Sequence, residues 1–367
     1  MFLDGLGLTL AAIHFGTPLT YYAYMRKYTK KPWNIELDQK HAPRISVILP
    51  TFREEEFINE KLEDLYAQDY DKNLLRVFLV DDLSDDRTSD LAEQWISDHT
   101  NFDVKLIQQT VHQGKLSCLN AALKEISPLT ELVVLTDADA FWNHDALSQA
   151  SKYFADPKVG CVTCCIAYIG NKVSLENEYR NYYNILRVAE SKRQATPIQN
   201  GPLLAIATKI LKHPGFPNYR GSDDSVFGSF VAFMGYRAIQ ADDVFVREPA
   251  RGSNFRRKVR RANRLVQNFL KTKRYARSMN VYVKSSFEDV WKVEWWLHIV
   301  NPWFLVASVV VLMISAVFYG STLGLVALFA GLLLVVRKSY RMWIGQQLYL
   351  IVARLWGLRT KDVTWKR

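Results

Sequence analysis

Apolar residues dominate both ends of the chain, whereas the middle follows a mixed pattern. Residues 2–25 are apolar except for Asp4 and His14, and a second apolar block covers residues 295–336. A helix rises about 1.5 Å per residue and the hydrocarbon core of a bilayer is about 30 Å thick, so both blocks are long enough for membrane spans. The pattern predicts a transmembrane anchor over residues 1–28 and a transmembrane hairpin in the second block.

Positive charges predict the orientation of these spans. No basic residue precedes the first block, whereas Arg26 and Lys27 follow it directly, and Arg337 and Lys338 follow the second block. Positive residues favour the cytosolic side, and a cleaved signal peptide would begin with a basic region. We therefore expect an integral cell-membrane protein whose middle segment and basic, amphipathic tail, residues 337–367, face the cytosol. The alternative is that both apolar blocks are buried helices of a soluble protein.

Short apolar runs alternate with amphipathic helical windows in the middle of the chain. Residues 45–50, 76–82, 104–108 and 131–137 are nearly continuous in apolar side chains. That pattern is typical of strands covered on both faces in a parallel sheet. The alternation predicts an α/β domain over residues 43–245 with a mostly parallel sheet. In such folds the ligand site lies beyond the carboxyl ends of the strands.

Acidic and turn-forming residues follow three of these predicted strands. They are Pro50, Thr51, Phe52 and Glu54 after the first strand, Asp81 and Asp82 after the second, and Asp137 and Asp139 after the fourth. Two carboxylates separated by one residue can bind one Mg²⁺ or Mn²⁺ ion, with phosphate oxygens completing its coordination. The alternative is that these residues only cap the following helices. Neither a glycine-rich dinucleotide motif nor a phosphate-binding P-loop motif follows a predicted strand.

The net charge of +10 is concentrated in two stretches. Residues 247–277 contain twelve Lys and Arg against one acid, and residues 337–367 contain eight against one. We predict basic interfacial helices over residues 246–294. These basic residues could bind one of three anionic partners, which are a departing diphosphate, anionic lipid headgroups and nucleic acid. The chain has no recognisable nucleic-acid-binding motif, so no nucleic-acid partner is expected.

These motifs resemble those of the inverting family 2 glycosyltransferases, in particular the membrane-embedded branch that includes hyaluronan, chitin and cellulose synthases. The resemblance covers roughly residues 44–269 and rests on PTFREEEFI, VDDLSDDRT, HQGKLSCLNAAL and Asp137-Ala138-Asp139. It implies a GT-A nucleotide-sugar-binding domain. The residues that it implicates in donor binding are Pro50, Thr51, Phe52, Glu54, Asp81, Asp82, Gly114, Lys115, Asn120 and Asp137. It assigns the metal to Asp137 and Asp139.

Two further segments resemble catalytic parts of this family. Asp223 and Asp224 resemble the acidic pair that supplies the general base, which implies that Asp224 is the base and that Asp223 lies beside it. Asn200 and Gly201 resemble the loop that approaches the acceptor. An inverting transfer needs one carboxylate to deprotonate the attacking hydroxyl, which is the role that this resemblance gives to Asp224.

The basic segment departs from the pattern of processive synthases. Those enzymes carry a Q-x-x-R-W motif here, whereas this chain has a basic run in which neither the Gln nor the Trp is in register. Arg260 and Arg261 are the best candidates to contact the donor diphosphate. The missing Gln and Trp favour a single transfer over polymerisation.

The resemblance implies a metal-dependent, inverting glycosyltransferase. We expect it to move a sugar from a nucleotide diphosphate, most simply UDP, to a membrane-associated or lipid-linked acceptor, with Mg²⁺ or Mn²⁺ as cofactor. The expected partners are the nucleotide sugar, the lipid bilayer and a lipid or glycan acceptor. Two alternatives remain, which are a processive polysaccharide synthase that extrudes its polymer and a non-catalytic membrane scaffold that binds sugar nucleotides.

Overall fold

An eight-stranded sheet forms the centre of the computed structural model, which describes residues 1–169, 174–211, 224–249 and 255–357. The strands are β1 (Ile45–Thr51), β2 (Leu75–Asp81), β3 (Asp103–Gln108), β4 (Leu132–Thr136), β5 (Phe141–Trp142), β6 (Val159–Ile169), β7 (Leu203–Ala207) and β8 (Arg237–Pro249). They lie in the order β3-β2-β1-β4-β7-β6-β8-β5. Helices alternate with the strands, so the predicted α/β class is confirmed.

The sheet is mixed in direction. β1 pairs in parallel with β2 and β4, and β2 pairs in parallel with β3. β7 then runs antiparallel between β4 and β6, and β5 runs antiparallel to β8. Every residue of β1, β4 and β7 is buried. The predicted mostly parallel sheet is therefore not confirmed, because a continuous apolar run indicates burial on both faces but not the direction of the strand.

Helices of very different lengths connect and flank the strands. They are α1 (Phe2–Thr29), α2 (Ile58–Tyr66), α3 (Thr88–Asp98), α4 (Lys115–Glu125), α5 (Ala146–Ser151), α6 (Ser174–Arg193), α7 (Thr208–Leu211), α8 (Asp224–Phe233), α9 (Phe255–Ser278), α10 (Phe287–Trp295), α11 (Asn301–Tyr319), α12 (Thr322–Leu334) and α13 (Lys338–Trp356). Ile58, Leu62 and Leu65 of α2 are fully buried in the same hydrophobic core as the strand residues. The amphipathic spacing in the sequence thus corresponds to core packing.

Two helices are long and apolar enough to cross a membrane. These are α1 and the continuous helix Phe287–Tyr319, which joins α10 to α11 through one wider π-helical turn. α12 has 13 residues and therefore extends about 20 Å, which is less than the roughly 30 Å of hydrocarbon. α13 follows it at an angle of 104°. The second arm of the predicted hairpin is thus too short to cross by itself, and the membrane topology stays a prediction.

The helices at the two ends of the chain pack together. Gly7 of α1 lies so close to α11 that an added Cβ would be 2.7 Å from the Leu312 Cγ. Trp343 of α13 donates to His14 Nε2 at 3.2 Å, so the proton of this imidazole lies on Nδ1 and is donated to the Asn301 carbonyl at 2.9 Å. α1, α11 and α13 therefore form one bundle, in which the polar atoms of His14 have partners.

Candidate active site

The loops that follow β1 and β2 bind each other. The backbone N–H of Arg53 donates to Ser84 Oγ at 2.9 Å, and its guanidinium contacts both carboxylate oxygens of Asp85 at 2.5 and 2.6 Å. Arg53 has a φ of +57° and Leu83 has a φ of +62°, a region that residues with a Cβ rarely adopt. Such backbone strain persists where surrounding contacts hold it, and it is common at functional sites. The two strand ends therefore form one rim.

Buried polar side chains support this rim from beneath. The carboxylate of Asp81 accepts from the Ser84 N–H at 2.9 Å and from the Thr51 hydroxyl at 3.3 Å. The buried Glu54 donates its backbone N–H to Thr88 Oγ1 at 2.8 Å. Because unpaired polar groups are costly inside a protein, these bonds fix the path of both loops.

Asp82 holds the loop that leads into α4. Its carboxylate accepts from the N–H groups of Gln113 and Gly114 at 3.0 and 2.6 Å, and it is fully buried. Gly114 has a φ of +92°, which glycine adopts without the steric cost of a Cβ. The ring of Phe52 stacks on that of His112, with 4.2 Å between the centroids. Asp82 thus acts on the shape of the site by placing the first turn of α4.

Lys115 connects two carboxylates that are far apart in the sequence. Its Nζ lies 2.6 Å from Asp137 Oδ1, after β4, and 3.8 Å from Asp224 Oδ1, at the start of α8. Burial opposes a charge on Lys115, but attraction by Asp137 and Asp224 outweighs it and raises the pKa of the amine. Lys115 is therefore an ammonium ion at neutral pH and holds the two acids close together.

Basic side chains of α9 lie around the same acids. Burial opposes the charge of Asp137, but Lys115, Arg261 and Arg264 outweigh it and hold the pKa of Asp137 below its ordinary value. Arg264 also acts on the charge of Lys115. For Arg260, partial burial and the positive charges of Arg264, Arg257 and Arg261 lower the pKa of the guanidinium. Arg261 and Arg264 thus stabilise the charge of Asp137, whereas burial first and neighbouring arginines second act against the charge of Arg260.

Gly201 lies directly against the carboxylate of Asp224. An ideal Cβ at Gly201 would be 2.1 Å from Asp224 Oδ2, a distance at which atoms overlap. The predicted acceptor residue before it, Asn200, is only 6% exposed and is buried beside the sheet. The side chain of Asn200 hydrogen-bonds to Arg187, Cys164 and Gln240, and its acceptor role stays a prediction.

Nearly the whole chain aligns with a mannosyltransferase from Pyrobaculum calidifontis that was solved in complex with GDP-Man and Mn²⁺. The two are 38% identical, the alignment covers 98% of this chain and 100% of that one, and the TM-score is 0.87. The Glycosyl transferase family 2 model matches residues 46–214. The chain belongs to glycosyl transferase family 2. Its α/β fold is GT-A-like, which confirms the predicted family and domain type.

Other glycosyltransferases match shorter parts of this family 2 chain. Glycosyltransferase AglE of Haloferax volcanii is 25% identical over 213 residues, which are 57% of this chain and 68% of AglE. Poly(ribitol-phosphate) beta-N-acetylglucosaminyltransferase TarS of Staphylococcus aureus is 32% identical over 111 residues, so the match spans only 18% of the length of that relative. These similarities do not confirm the predicted hyaluronan, chitin and cellulose synthase branch.

The carboxylates after β4 suit the divalent metal that the family 2 resemblance implies. Asp137 and Asp139 are both half-buried, and carboxylate oxygens are the ligands that Mg²⁺ and Mn²⁺ prefer. Within the described residues no three His, Cys, Asp or Glu side chains converge as a complete metal site. Oxygens of a donor diphosphate would have to complete the coordination. The residues present therefore fit a divalent ion whose remaining ligands would come from the donor.

Direct contacts join many of the predicted site residues in this family 2 domain. The joined residues are Thr51 with Asp81, Asp82 with Gly114, Lys115 with Asp137 and Asp224, and Asp224 with Gly201. Pro50 is buried in β1, and Asn120 is half-buried on α4. Asp223 lies outside the described residues. The shared edge expected for the strand ends therefore exists around Lys115.

Two residues of this region escaped the sequence analysis. Arg264 follows Arg261 by three residues, so the two lie on one face of α9, and this spacing was a usable signal. His112 precedes Gly114 in the same short motif, but nothing in the sequence indicated that its ring would stack on Phe52.

Proposed function

We propose that the protein is a metal-dependent, inverting glycosyltransferase that transfers a sugar from a nucleotide diphosphate to a membrane-associated or lipid-linked acceptor. The observation that carries this proposal is the convergence of Asp137, Lys115 and Asp224 from three separate elements. One group of contacts then contains three chemical functions. Asp137 can bind a metal, Lys115 can bind phosphate and Asp224 can act as the base.

In this mechanism Asp224 accepts the proton of the acceptor hydroxyl as that oxygen attacks the anomeric carbon. The bond to the donor diphosphate breaks on the opposite face, so the configuration inverts. A positioned carboxylate base contributes about 10²–10⁴-fold to such a step. The diphosphate leaves as an anion, and Lys115, Arg261 and Arg264 supply positive charge close to Asp137, where it would depart.

Asp137 and Asp139 are the residues that would hold Mg²⁺ or Mn²⁺. When bound, such an ion neutralises charge on the departing diphosphate. Lys115 would exchange its contact with Asp137 for the diphosphate, which is chemically reasonable because an ammonium ion binds either oxyanion.

The donor nucleotide is proposed from similarity. UDP was expected from the sequence motifs alone, whereas the Pyrobaculum calidifontis relative, aligned over its whole length, was solved with GDP-Man and Mn²⁺. We therefore place GDP-mannose ahead of UDP-sugars as the donor to test first. The membrane-associated acceptor is supported by the two apolar helices, α1 and Phe287–Tyr319.

The decisive experiment compares the purified wild type with Asp224→Asn. We expect wild type to release a nucleoside diphosphate from GDP-mannose or a UDP-sugar when given a membrane lipid extract, and to form a product of inverted anomeric configuration by NMR. Asp224→Asn should lose transfer by at least about a hundredfold and keep donor binding. Asp243→Asn is a matched control, because this acid pairs with Lys152, outside the group formed by Asp137, Lys115 and Asp224.

Several outcomes would contradict the proposal. Retention of configuration would exclude the inverting mechanism, and full turnover in EDTA would exclude the metal. Nucleotide binding without turnover in wild type, over the whole panel of donors, would favour the non-catalytic scaffold. Long polymers from a single donor would favour the processive synthase.

A further inference from the structure

Asn200 uses every polar group of its side chain within the protein. Its Nδ2 donates to the Cys164 carbonyl at 2.7 Å and to Gln240 Oε1 at 3.2 Å, and its Oδ1 accepts from Arg187 Nη1 at 2.8 Å. Its backbone N–H donates to Thr163 Oγ1 at 3.0 Å. An amide with one acceptor and two donors that are all bonded has a single orientation. Asn200 is therefore fixed between α6 and the sheet.

The fixed position of Asn200 determines where Gly201 lies. Gly201 follows it directly and touches the carboxylate of Asp224 so closely that no Cβ could be placed between them. Interiors are close-packed and transmit small displacements, so a shift of this backbone would move the Asp224 carboxylate. The path from Arg187 through Asn200 to Asp224 is thus made of direct contacts.

Helix α6, which carries Arg187, is itself attached to the helices at the ends of the chain. One turn beyond Arg187, the buried Glu190 accepts from the Tyr21 hydroxyl of α1 at 2.7 Å and from Thr196 Oγ1 at 2.7 Å. The buried Glu294 of α10 lies close enough to Glu190 for the two carboxyl groups to influence each other's charge. α6 therefore has a defined position relative to both predicted spans.

We propose that Arg187 and Asn200 are positioning residues that hold the Asp224 carboxylate in place through Gly201. The inference rests on the proposed role of Asp224 as the base and adds the residues that act through it. It also gives Asn200 a function different from acceptor contact, since the polar atoms of its side chain are already bonded to Arg187, Cys164 and Gln240.

A double-mutant cycle tests this inference on the full-length protein in detergent. The variants are Asn200→Ala and Arg187→Met, each made in wild type and in Asp224→Asn. In wild type we expect kcat to fall at least tenfold, while the dissociation constant for donor with Mn²⁺ changes by less than twofold. In the Asp224→Asn background the same substitutions should cause no further loss of the residual rate, because a misplaced base costs nothing once the base is absent.

The pH dependence of kcat supplies a second readout that does not need a residual rate. If the base is displaced, the acidic limb of the kcat profile should move in Asn200→Ala, and Arg187→Lys should restore part of the loss seen with Arg187→Met. A purely structural defect would lower kcat by the same factor at every pH. Thermal unfolding of each variant shows whether it is folded when it is assayed.

Arg237→Met is the matched control. Arg237 is a buried arginine whose guanidinium donates to the carbonyl of Ser191 in α6 and to that of Gln194 just after it. Within the described part of the chain, its hydrogen bonds go to backbone carbonyls and not to Asn200 or Asp224. We expect this variant to lose thermal stability while keeping the wild-type pH profile. Equal fold losses in both backgrounds with an unmoved acidic limb would overturn the positioning role. An active Asp224→Asn protein would instead overturn the proposed base itself.

Discussion

Lys115 lies between Asp137 and Asp224, with its Nζ 2.6 Å from an oxygen of the first and 3.8 Å from an oxygen of the second. Both acids are at least partly buried, and like charges repel strongly where water is scarce. The ammonium ion therefore keeps a metal-binding acid and a base close together before a donor arrives. This relationship makes Lys115 the residue whose removal should affect both donor binding and catalysis.

The substitution Lys115→Met tests this double role. We expect the affinity for the donor to fall about tenfold or more, because a hydrogen bond to a charged group is worth about 1.5–3 kcal/mol and 1.4 kcal/mol is a factor of ten. The rate at saturating donor should also fall. Donor titration and initial-rate assays measure the two effects separately. Lys124→Met, at the exposed end of the same helix, is the control, and an unchanged donor affinity in Lys115→Met would exclude the phosphate contact.

Arg264 should matter more for transfer than Arg260. Arg261 and Arg264 help to hold the pKa of Asp137 down, whereas burial and the charges of neighbouring arginines lower the pKa of Arg260. We expect Arg264→Gln to lower kcat at least about tenfold, by the loss of one charge-assisted contact to the departing diphosphate. Arg260→Gln should lower it by less than threefold. Initial rates of the two variants, measured side by side, test this difference, and a larger effect of Arg260→Gln would favour the diphosphate contact that the sequence predicts for Arg260.

The sequence could reveal the acidic rim because parallel strands bring their carboxyl ends to one edge. Asp81, Asp82 and Asp137 needed only this rule and the apolar runs before them. The face of α9 that is turned towards these acids could not be predicted in the same way. Spacing places Arg261 and Arg264 on one face, but basic residues occur around most of the helix. The sequence alone therefore does not show that this is the face turned towards Asp137.

The hydrogen bonds of the Asn200 side chain escaped prediction for a different physical reason. Its partners Arg187, Cys164 and Gln240 come from three elements whose relative positions depend on the whole fold. The direction of β7 was hidden as well, because its five buried residues have the same apolar composition as a parallel strand. Local pattern thus identified elements and strand ends, whereas long-range pairing decided which side chains meet.

Gly201→Ala should impair catalysis by crowding the base. The added Cβ would be 2.1 Å from Asp224 Oδ2, so the carboxylate or the loop must move. Overpacking of this kind costs about 1–3 kcal/mol, and a displaced base lowers the rate as well. We expect kcat to fall at least tenfold with donor binding retained, by calorimetry and rate assays. Gly345→Ala is the control, since the nearest atom to a Cβ there is 3.9 Å away. Wild-type kcat in Gly201→Ala would contradict the contact.

Asp139→Asn tests the metal separately from the base. Replacing one carboxylate removes a charged ligand, so we expect the Mn²⁺ concentration at half-maximal activity to rise at least tenfold. Saturating Mn²⁺ should recover part of the rate, whereas no metal concentration should rescue Asp224→Asn. Metal titration of both variants measures the difference. Identical Mn²⁺ curves for wild type and Asp139→Asn would exclude Asp139 as a ligand.

The buried pair of Glu190 and Glu294 should make stability depend on pH. Burial raises the pKa of Glu190 above its ordinary value, so the folded protein binds this proton more tightly than the unfolded chain. The resulting stability is fully present below the ordinary glutamate pKa of about 4.3 and is lost as the pH rises through the raised folded value. The charged and titratable neighbours of Glu190 are Tyr21, Arg187 and Glu294, and Thr196 also hydrogen-bonds to it.

Glu190→Gln keeps the shape and removes this titration. We expect the Tm of wild type in detergent to fall from pH 5 upwards relative to that of Glu190→Gln, so that the two curves converge or cross as the pH increases. Glu288→Gln, on the same helix as Glu294 but paired with Lys273, should keep the wild-type slope. Parallel Tm curves for wild type and Glu190→Gln would mean that no proton is held at this junction. A difference in slope would show that Glu190 holds a proton in the folded protein, because two ionised carboxylates repel each other in a buried site.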